Sequence, residues 1–398
     1  MATEAAPSSA DDTAKTARRD ISDHKLTTLA GVRSYLEQHQ GRTGFDLQAL
    51  AGGTANYVYR VTDHDTGAIH VLKHAAPQLA SNPAFGLSTE RMDFEANMLM
   101  RKALDEGECT HVHTEKTHVH TVPFVSYDND VKLLCVGDGG DRNLKDAYAH
   151  LSPDEIQDIG TELGKWLANL HGATPLSYVA AIGADSEARN NPVGVAIAGY
   201  TYRHLADAIK TYGGTTAKAE TISNQVNTYS GDLIVSDKEC VCHGDFWPGN
   251  IMLRSNTASQ THVLTVVDWE LTRIGTSATD IGQFAAEAAM LDRFHGNKGL
   301  RAAFMRAYFQ TSGASHGAKK TLVPWLTRIA MHYAVHLVVW PGRAVHWAPP
   351  EAAAMLADHG LAVLADAVSK TPDLGTWTLF DGLRGAEGGA GEMMEVAR

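Results

Sequence analysis

Cys242-His243-Gly244-Asp245-Phe246-Trp247-Pro248-Gly249-Asn250 runs into the apolar stretch Ile251-Met252-Leu253, and further on comes Val266-Val267-Asp268-Trp269-Glu270. Pro-Gly marks a turn, which puts Asp245 and Asn250 on one ordered loop. An apolar strand then carries the chain away, and a second returns it with Asp268 and Glu270. Asp, Asn, Asp and Glu gathered in this way are unfavourable unless a cation neutralises them. Oxygen-only ligands suit a hard ion such as Mg²⁺. An Asp positioned beside such an ion is the equipment of phosphoryl transfer.

The rest of the chain is ordinary in bulk. Its 398 residues are 44% hydrophobic and 20% charged, enough for two domains or one two-lobed unit with a sizeable core. A formal net charge of −12 argues against nucleic acid or an anionic membrane as a partner. No run reads as a transmembrane helix. Residues 1–25 are rich in Ala, Ser, Thr, Asp and Lys without an apolar core, so they read as a disordered lead-in and not a secretory signal. Cys109, Cys135, Cys240 and Cys242 read as reduced, buried small hydrophobes, which fits a cytoplasmic protein.

Patterning divides the chain. Thr27 and Thr28 precede Leu29, Val32 and Leu36 on one helical face, with Gly41 as the stop. Residues 46–51 and 57–61 form a hairpin around Gly52-Gly53-Thr54, and the next strand puts Ile69, Val71 and Lys73 on one face. A helix over 89–104 sets Glu95 in a partly apolar stripe, where a carboxylate needs a cation; Lys73 is the candidate. Thr110-His111-Val112-His113-Thr114 and Thr117-His118-Val119-His120-Thr121 read as a hairpin of exposed histidines in preference to a metal site. A short strand over 132–136 ends at Gly137-Asp138-Gly139-Gly140, a hinge. Beyond it, Ser152-Pro153-Asp154-Glu155 is a capping box opening a long apolar stripe. Further helices are expected at 200–212, 217–235, 279–294, 300–311, 321–340 and 350–369, with a two-stranded insert at 251–253 and 263–267. The layout is a lead-in (1–25), a β-rich lobe (26–136), a hinge (137–140), a helical lobe (141–383) and a frayed tail (384–398).

The ordered set of Gly-Gly loop, strand Lys, helix Glu, hinge, His-Gly-Asp-x-x-x-x-Asn and Asp-Trp-Glu resembles the aminoglycoside phosphotransferase and choline kinase group of the protein-kinase-like fold. It looks closest to the methylthioribose kinase-like branch that includes hydroxytryptamine kinases. Leu50-Ala51-Gly52-Gly53, Asn56-Tyr57-Val58-Tyr59-Arg60-Val61, Val71-Leu72-Lys73-His74-Ala75-Ala76-Pro77, Glu90-Arg91, Glu95 and Asp268-Trp269-Glu270-Leu271 carry that likeness, and their order is far more specific than any one motif.

The resemblance implies a bilobal α+β fold, with a small antiparallel β lobe bearing one helix and a large, mainly helical lobe. It implies an ATP- and Mg²⁺-dependent kinase that moves the γ-phosphoryl group to a hydroxyl on a small molecule. Asp245 would be the catalytic carboxylate that orients the acceptor hydroxyl and takes its proton. Asn250 and Asp268 would hold Mg²⁺, with Glu270 at the metal or the substrate. Gly52, Gly53, Asn56, Val71, Lys73 and Glu95 would serve the nucleotide, Lys73 at the α- and β-phosphates and paired with Glu95. Gly137 C=O and Gly139 N–H would meet the adenine edge. His243 and Asp280 would be structural, Asp280 holding the catalytic loop's backbone. Trp247, Glu270, Trp340 and Arg343 are candidates for the acceptor pocket. The lone Arg343 argues against methylthioribose itself. The alternative is a catalytically silent nucleotide- or metabolite-binding protein on the same fold. A metal-dependent hydrolase would lack its usual histidine ligands.

Overall fold

The computed structural model describes residues 25–51, 53–101, 112–113, 116–174, 190–212, 216–256, 258, 261–312, 319–343, 349, 351–369 and 377–380. Residues 1–24 of the lead-in, Gly52, Cys109, His111 and the tail lie outside them. In chain order the first elements are α1 (Leu29–Gln38), β1 (Phe45–Ala49), β2 (Tyr57–Asp63), β3 (Ile69–His74), α2 (Arg91–Met100), β4 (Val112–His113), β5 (Thr117–Thr121), β6 (Phe124–Asp128) and β7 (Leu133–Gly137). Then come β8 (Arg142–Asn143), α3 (Leu144–Ala147), α4 (Pro153–Ala173), α5 (Pro192–Arg203), α6 (Leu205–Thr211) and α7 (Thr216–Val226). The last are β9 (Cys240–Cys242), β10 (Ile251–Asn256), β11 (Thr261–Val266), β12 (Arg273–Gly275), α8 (Ser277–Phe294), α9 (Leu300–Ser312), α10 (Lys319–Val339) and α11 (Ala352–Ala367). They form two compact units, one of residues up to Ala96 with Pro123–Asp138, the other of Asn97–Val122 with Gly139 onward.

The first unit is an antiparallel sheet of order β1-β2-β3-β7-β6. Alternation along β2 sends Tyr59 and Val61 inward, as a strand with one buried face must. They pack with Leu72, Leu133 and Cys135 against Val32, Tyr35 and Leu36 of α1. Thr28 starts that helix by accepting from Gly31 N–H at 3.1 Å, satisfying one of the donors that a helix start leaves open.

In the second unit β10 and β11 are not an isolated insert. They sit in a sheet of order β4-β5-β11-β10-β8, with β5 running parallel to β11. Residues 97–122, assigned to the β-rich lobe from sequence, therefore belong to this unit. A parallel partner so distant in the chain leaves no local signal. His118 and His120 are half-buried in this sheet, not exposed, and His120 Nε2 meets Thr265 Oγ1 at 3.0 Å.

The helices follow the sequence more closely. Ser152 and Glu155 close the capping box that starts α4. Gly164 lets α4 sit on α9, since a Cβ there would lie 2.3 Å from Phe304 O. The expected helix over 200–212 is two, broken at His204. Within α10, Leu322–Val339 is long and apolar enough to cross a membrane, contrary to the sequence reading, but 83% of it is buried inside the protein. Apolarity on every side is what a core helix requires. Cys135, Cys240 and Cys242 are buried free thiols.

His332 on α10 is buried, with Nδ1 2.9 Å from Tyr202 OH. Burial, then the charges of His336 and Arg273, hold its imidazole down at about 3. An unfolded chain protonates a His near pH ~6.5, so between these values the unfolded state binds more protons and stability falls as pH falls. Denaturant midpoints measured from pH 7 to pH 4 should drop, and His332→Gln should flatten the slope by about 1 kcal/mol per pH unit. An unchanged slope in that variant would assign the acid sensitivity elsewhere.

Candidate active site

The site in the second unit is built on the loop that leaves β9. β9 pairs with β12, and the chain then enters α8, whose first turn faces the loop. Asp280 accepts from His243 N–H at 2.7 Å and from Gly244 N–H at 3.0 Å. Gly244 has φ +90° and its Cβ would lie 2.1 Å from Leu271 O, so no other residue fits. His171 Nε2 lies 3.2 Å from Asp280 Oδ2, and Tyr308 OH is 2.8 Å from His171 Nδ1. Burial alone would push the Asp280 carboxyl up, but the hydrogen bond and positive charge of His171, with Arg273, outweigh it and hold the group at about 2.

His243 is fully buried. Its Nε2 donates to Val267 O at 3.1 Å and its Nδ1 accepts from Asp245 N–H at 3.3 Å. The ring thus ties the loop to the end of β11. It packs on Trp269, ring centroids 4.5 Å apart.

The β10–β11 register brings the oxygen-bearing residues together. Ile251 pairs with Val266, and Val267 N–H donates to Asn250 O at 3.0 Å, so Asp268 follows directly after the residue facing Asn250. Asp268 is in the left-handed region, φ 69° and ψ 60°, a sharp exit in which Asp is better tolerated than most side chains. Asn250 Nδ2 donates to Asp245 O and to Asp245 Oδ2, both at 2.9 Å. Gln283 Nε2 donates to Asp245 Oδ1 at 2.6 Å. Removal from water, then the negative charge of Asp268 and more weakly that of Glu287, push the Asp245 carboxyl up to about 6, against the pull of the Gln283 and Asn250 bonds. Glu270 is buried in the turn after Asp268, where Asn191 Nδ2 holds its carbonyl at 2.8 Å.

This donor set fits a hard divalent ion. The Asn250 amide nitrogen is committed to Asp245, which leaves its oxygen to face a cation. The Asp245–Asp268 repulsion is the imbalance that a cation relieves.

Of the residues expected at an acceptor pocket, Trp247 lies over its own loop: a Cβ on Gly249 would be 2.2 Å from the indole ring. Trp340 and Arg343 gather at Tyr200. The rings of Trp340 and Tyr200 are 6.0 Å apart, and Arg343 Nη1 donates to Tyr200 OH at 3.2 Å. Two residues escaped the sequence reading, Gln283 and Glu287. Glu287 is buried, its Oε1 takes a hydrogen bond from His336 Nε2 at 2.7 Å, and its Oε2 has no hydrogen-bond partner. Both follow Asp280 at helical spacing on α8, which was the available signal.

In the first unit Lys73 Nζ lies 2.7 and 2.8 Å from the two Glu95 oxygens, both side chains buried. Val71 shares the strand β3 with Lys73, two residues away on the same face. Asn56 is buried, and its Oδ1 accepts from the fully buried Arg91 at 3.0 Å, so it braces the loop it stands in. A Cβ on Gly53 would sit 3.4 Å from Asn56 O. Gly137 ends β7, its N–H bonded to Pro123 O at 2.8 Å. Gly139 belongs to the second unit, where a Cβ would lie 2.9 Å from Met252 Cβ.

Residues 46–318 match the model of the phosphotransferase enzyme family. The 4-hydroxytryptamine kinase of Psilocybe cubensis is 24% identical over 366 residues, covering 86% of this chain and 93% of the relative. That of Psilocybe cyanescens is 24% identical over 305 residues, covering 71% and 80%. Among solved structures, an ethanolamine kinase of Plasmodium vivax matches with a TM-score of 0.50 at 13% identity, over 90% of this chain and 95% of that one. That likeness is one of fold.

Proposed function

This chain belongs to the phosphotransferase enzyme family, and from that premise we propose that it transfers the γ-phosphoryl group of ATP, as its Mg²⁺ complex, to a hydroxyl of a small molecule that also carries an amine. The observation that carries the transfer reading is the Asp245 carboxylate, partly buried beside Asp268 and gripped by Asn250 and Gln283. Asp245 aligns the acceptor hydroxyl and takes its proton as the phosphoryl group arrives. Asn250 and Asp268 hold the metal, which neutralises phosphate charge when bound. Lys73, kept in place by Glu95, serves the α- and β-phosphates. Little covalent chemistry is asked of the protein; position and charge neutralisation supply the rate.

The amine follows from Glu287. A buried carboxylate with one unpartnered oxygen is costly, and its charge reaches Asp245. The negative charge of Glu287, with Trp340 beside its partner His336, would favour a protonated amine on the acceptor. The curated relatives are named for a hydroxylated amine, which agrees.

An ADP-release assay with ATP and Mg²⁺ against a panel of hydroxyl compounds tests this. Turnover should require Mg²⁺ and favour hydroxylated amines over matched amine-free alcohols by about tenfold or more. ADP release that no acceptor stimulates, or that is indifferent to chelation, overturns the proposal.

A further inference from the structure

One face of α8 grips three consecutive residues of the catalytic loop. Asp280 holds the backbone N–H groups of His243 and Gly244, and Gln283, three residues on, holds the side chain of Asp245. Residues spaced by three on a helix share a face, so this is one surface working along the loop. A carboxylate can only accept, which settles that the Gln283 amide nitrogen, not its oxygen, faces Asp245. Its bond to Oδ1 at 2.6 Å and that of Asn250 to Oδ2 at 2.9 Å occupy one acceptor site on each oxygen. Together they fix the carboxylate plane and leave a lone pair on each oxygen. A neutral amide suits the position. A Glu would repel Asp245, and a Lys or Arg would hold it in an ion pair and weaken it as a base.

We infer that Gln283 is a positioning residue that locks the Asp245 carboxylate in the orientation in which it meets the acceptor hydroxyl. The inference rests on the role given to Asp245 above. Transfer rates are sensitive to small misplacements of the reacting groups, so loosening one side of the clamp acts on kcat before it acts on binding.

The test compares wild type with Gln283→Met, which keeps the bulk and loses the donor, and with Gln283→Glu. Against an acceptor from the panel above, Gln283→Met should lower kcat by about 10- to 100-fold while the KM for ATP stays within about twofold. Gln283→Glu should lose more. Crystal structures should show Asp245 in one rotamer in wild type and in more than one in Gln283→Met. A Met variant with wild-type kcat, a Glu variant better than the Met one, or an Asp245 rotamer unmoved by the loss of the amide each overturns the inference. So does a kcat deficit that vanishes on assay well below the variant's Tm, which marks a merely structural role. If wild type phosphorylates nothing, the reading of Asp245 fails, and the rotamer comparison still decides the clamp.

Discussion

Asp245→Asn should lower phosphoryl transfer by about three orders of magnitude or more, while calorimetry finds ATP bound within about threefold of wild type in the presence of Mg²⁺. The substitution is nearly isosteric, so the loop's backbone, held by Asp280 and His243, has no reason to move. What goes is the proton acceptor. One carboxylate oxygen also becomes an N–H₂ that must face Gln283 or Asn250, both donors here, so even the neutral amide cannot sit as the carboxylate does. Stability should move little. The Asp245 carboxyl is pushed up to about 6 from 3.8, by burial and then by Asp268. A carboxyl with a raised folded pKa weakens the native state wherever it is ionised. At pH 7 the charge relieved roughly offsets the hydrogen bond lost to the misplaced N–H₂, so the Asn variant should melt within a few degrees of wild type. Undiminished turnover removes Asp245 from the chemistry. A large fall in melting point shows that the hydrogen bonds of Gln283 and Asn250 outweigh the charge relieved.

The geometry of the loop that carries Asp245 was legible because its information is local. Pro248-Gly249 declares the turn, and two apolar runs declare the hairpin that carries Asn250 and Asp268 to one end. The long helices were legible for the same reason: α4 announces its start at Ser152 and its buried face by periodicity. What stayed hidden depends on partners far along the chain. β5 pairs in parallel with β11 across more than a hundred residues, so the histidines at 118 and 120 read as surface when they are half-buried. The short β9–β12 pair has no pattern long enough to show itself. Gln283 and Glu287 look like ordinary residues of an amphipathic helix. Their meaning comes from which face of α8 meets Asp245, and only the fold decides that.

Asp280→Ala should be strongly destabilising, at roughly 3–5 kcal/mol. It leaves His243 N–H and Gly244 N–H buried without an acceptor and strips His171 of the carboxylate beside it. At this chain size such a loss lowers Tm by roughly 5 °C. The pH dependence carries its own signature. A carboxyl held at about 2, against 3.8 when unperturbed, contributes stability that is fully present above the higher value and is lost as pH falls through the lower one. Acid unfolding of wild type should therefore steepen between about pH 4 and pH 2, and Asp280→Asn should remove that extra steepness. Asp280→Asn keeps one acceptor oxygen but turns an N–H₂ toward the other backbone donor, so its melting point should fall between those of wild type and Asp280→Ala. Equal melting points for all three would mean that the loop holds its shape without this helix. Two carboxylates in contact with one loop thus separate by experiment. Asp245→Asn removes activity from a stable protein, whereas Asp280→Ala removes activity only because Gly244 and its neighbours lose the anchor that presents Asp245.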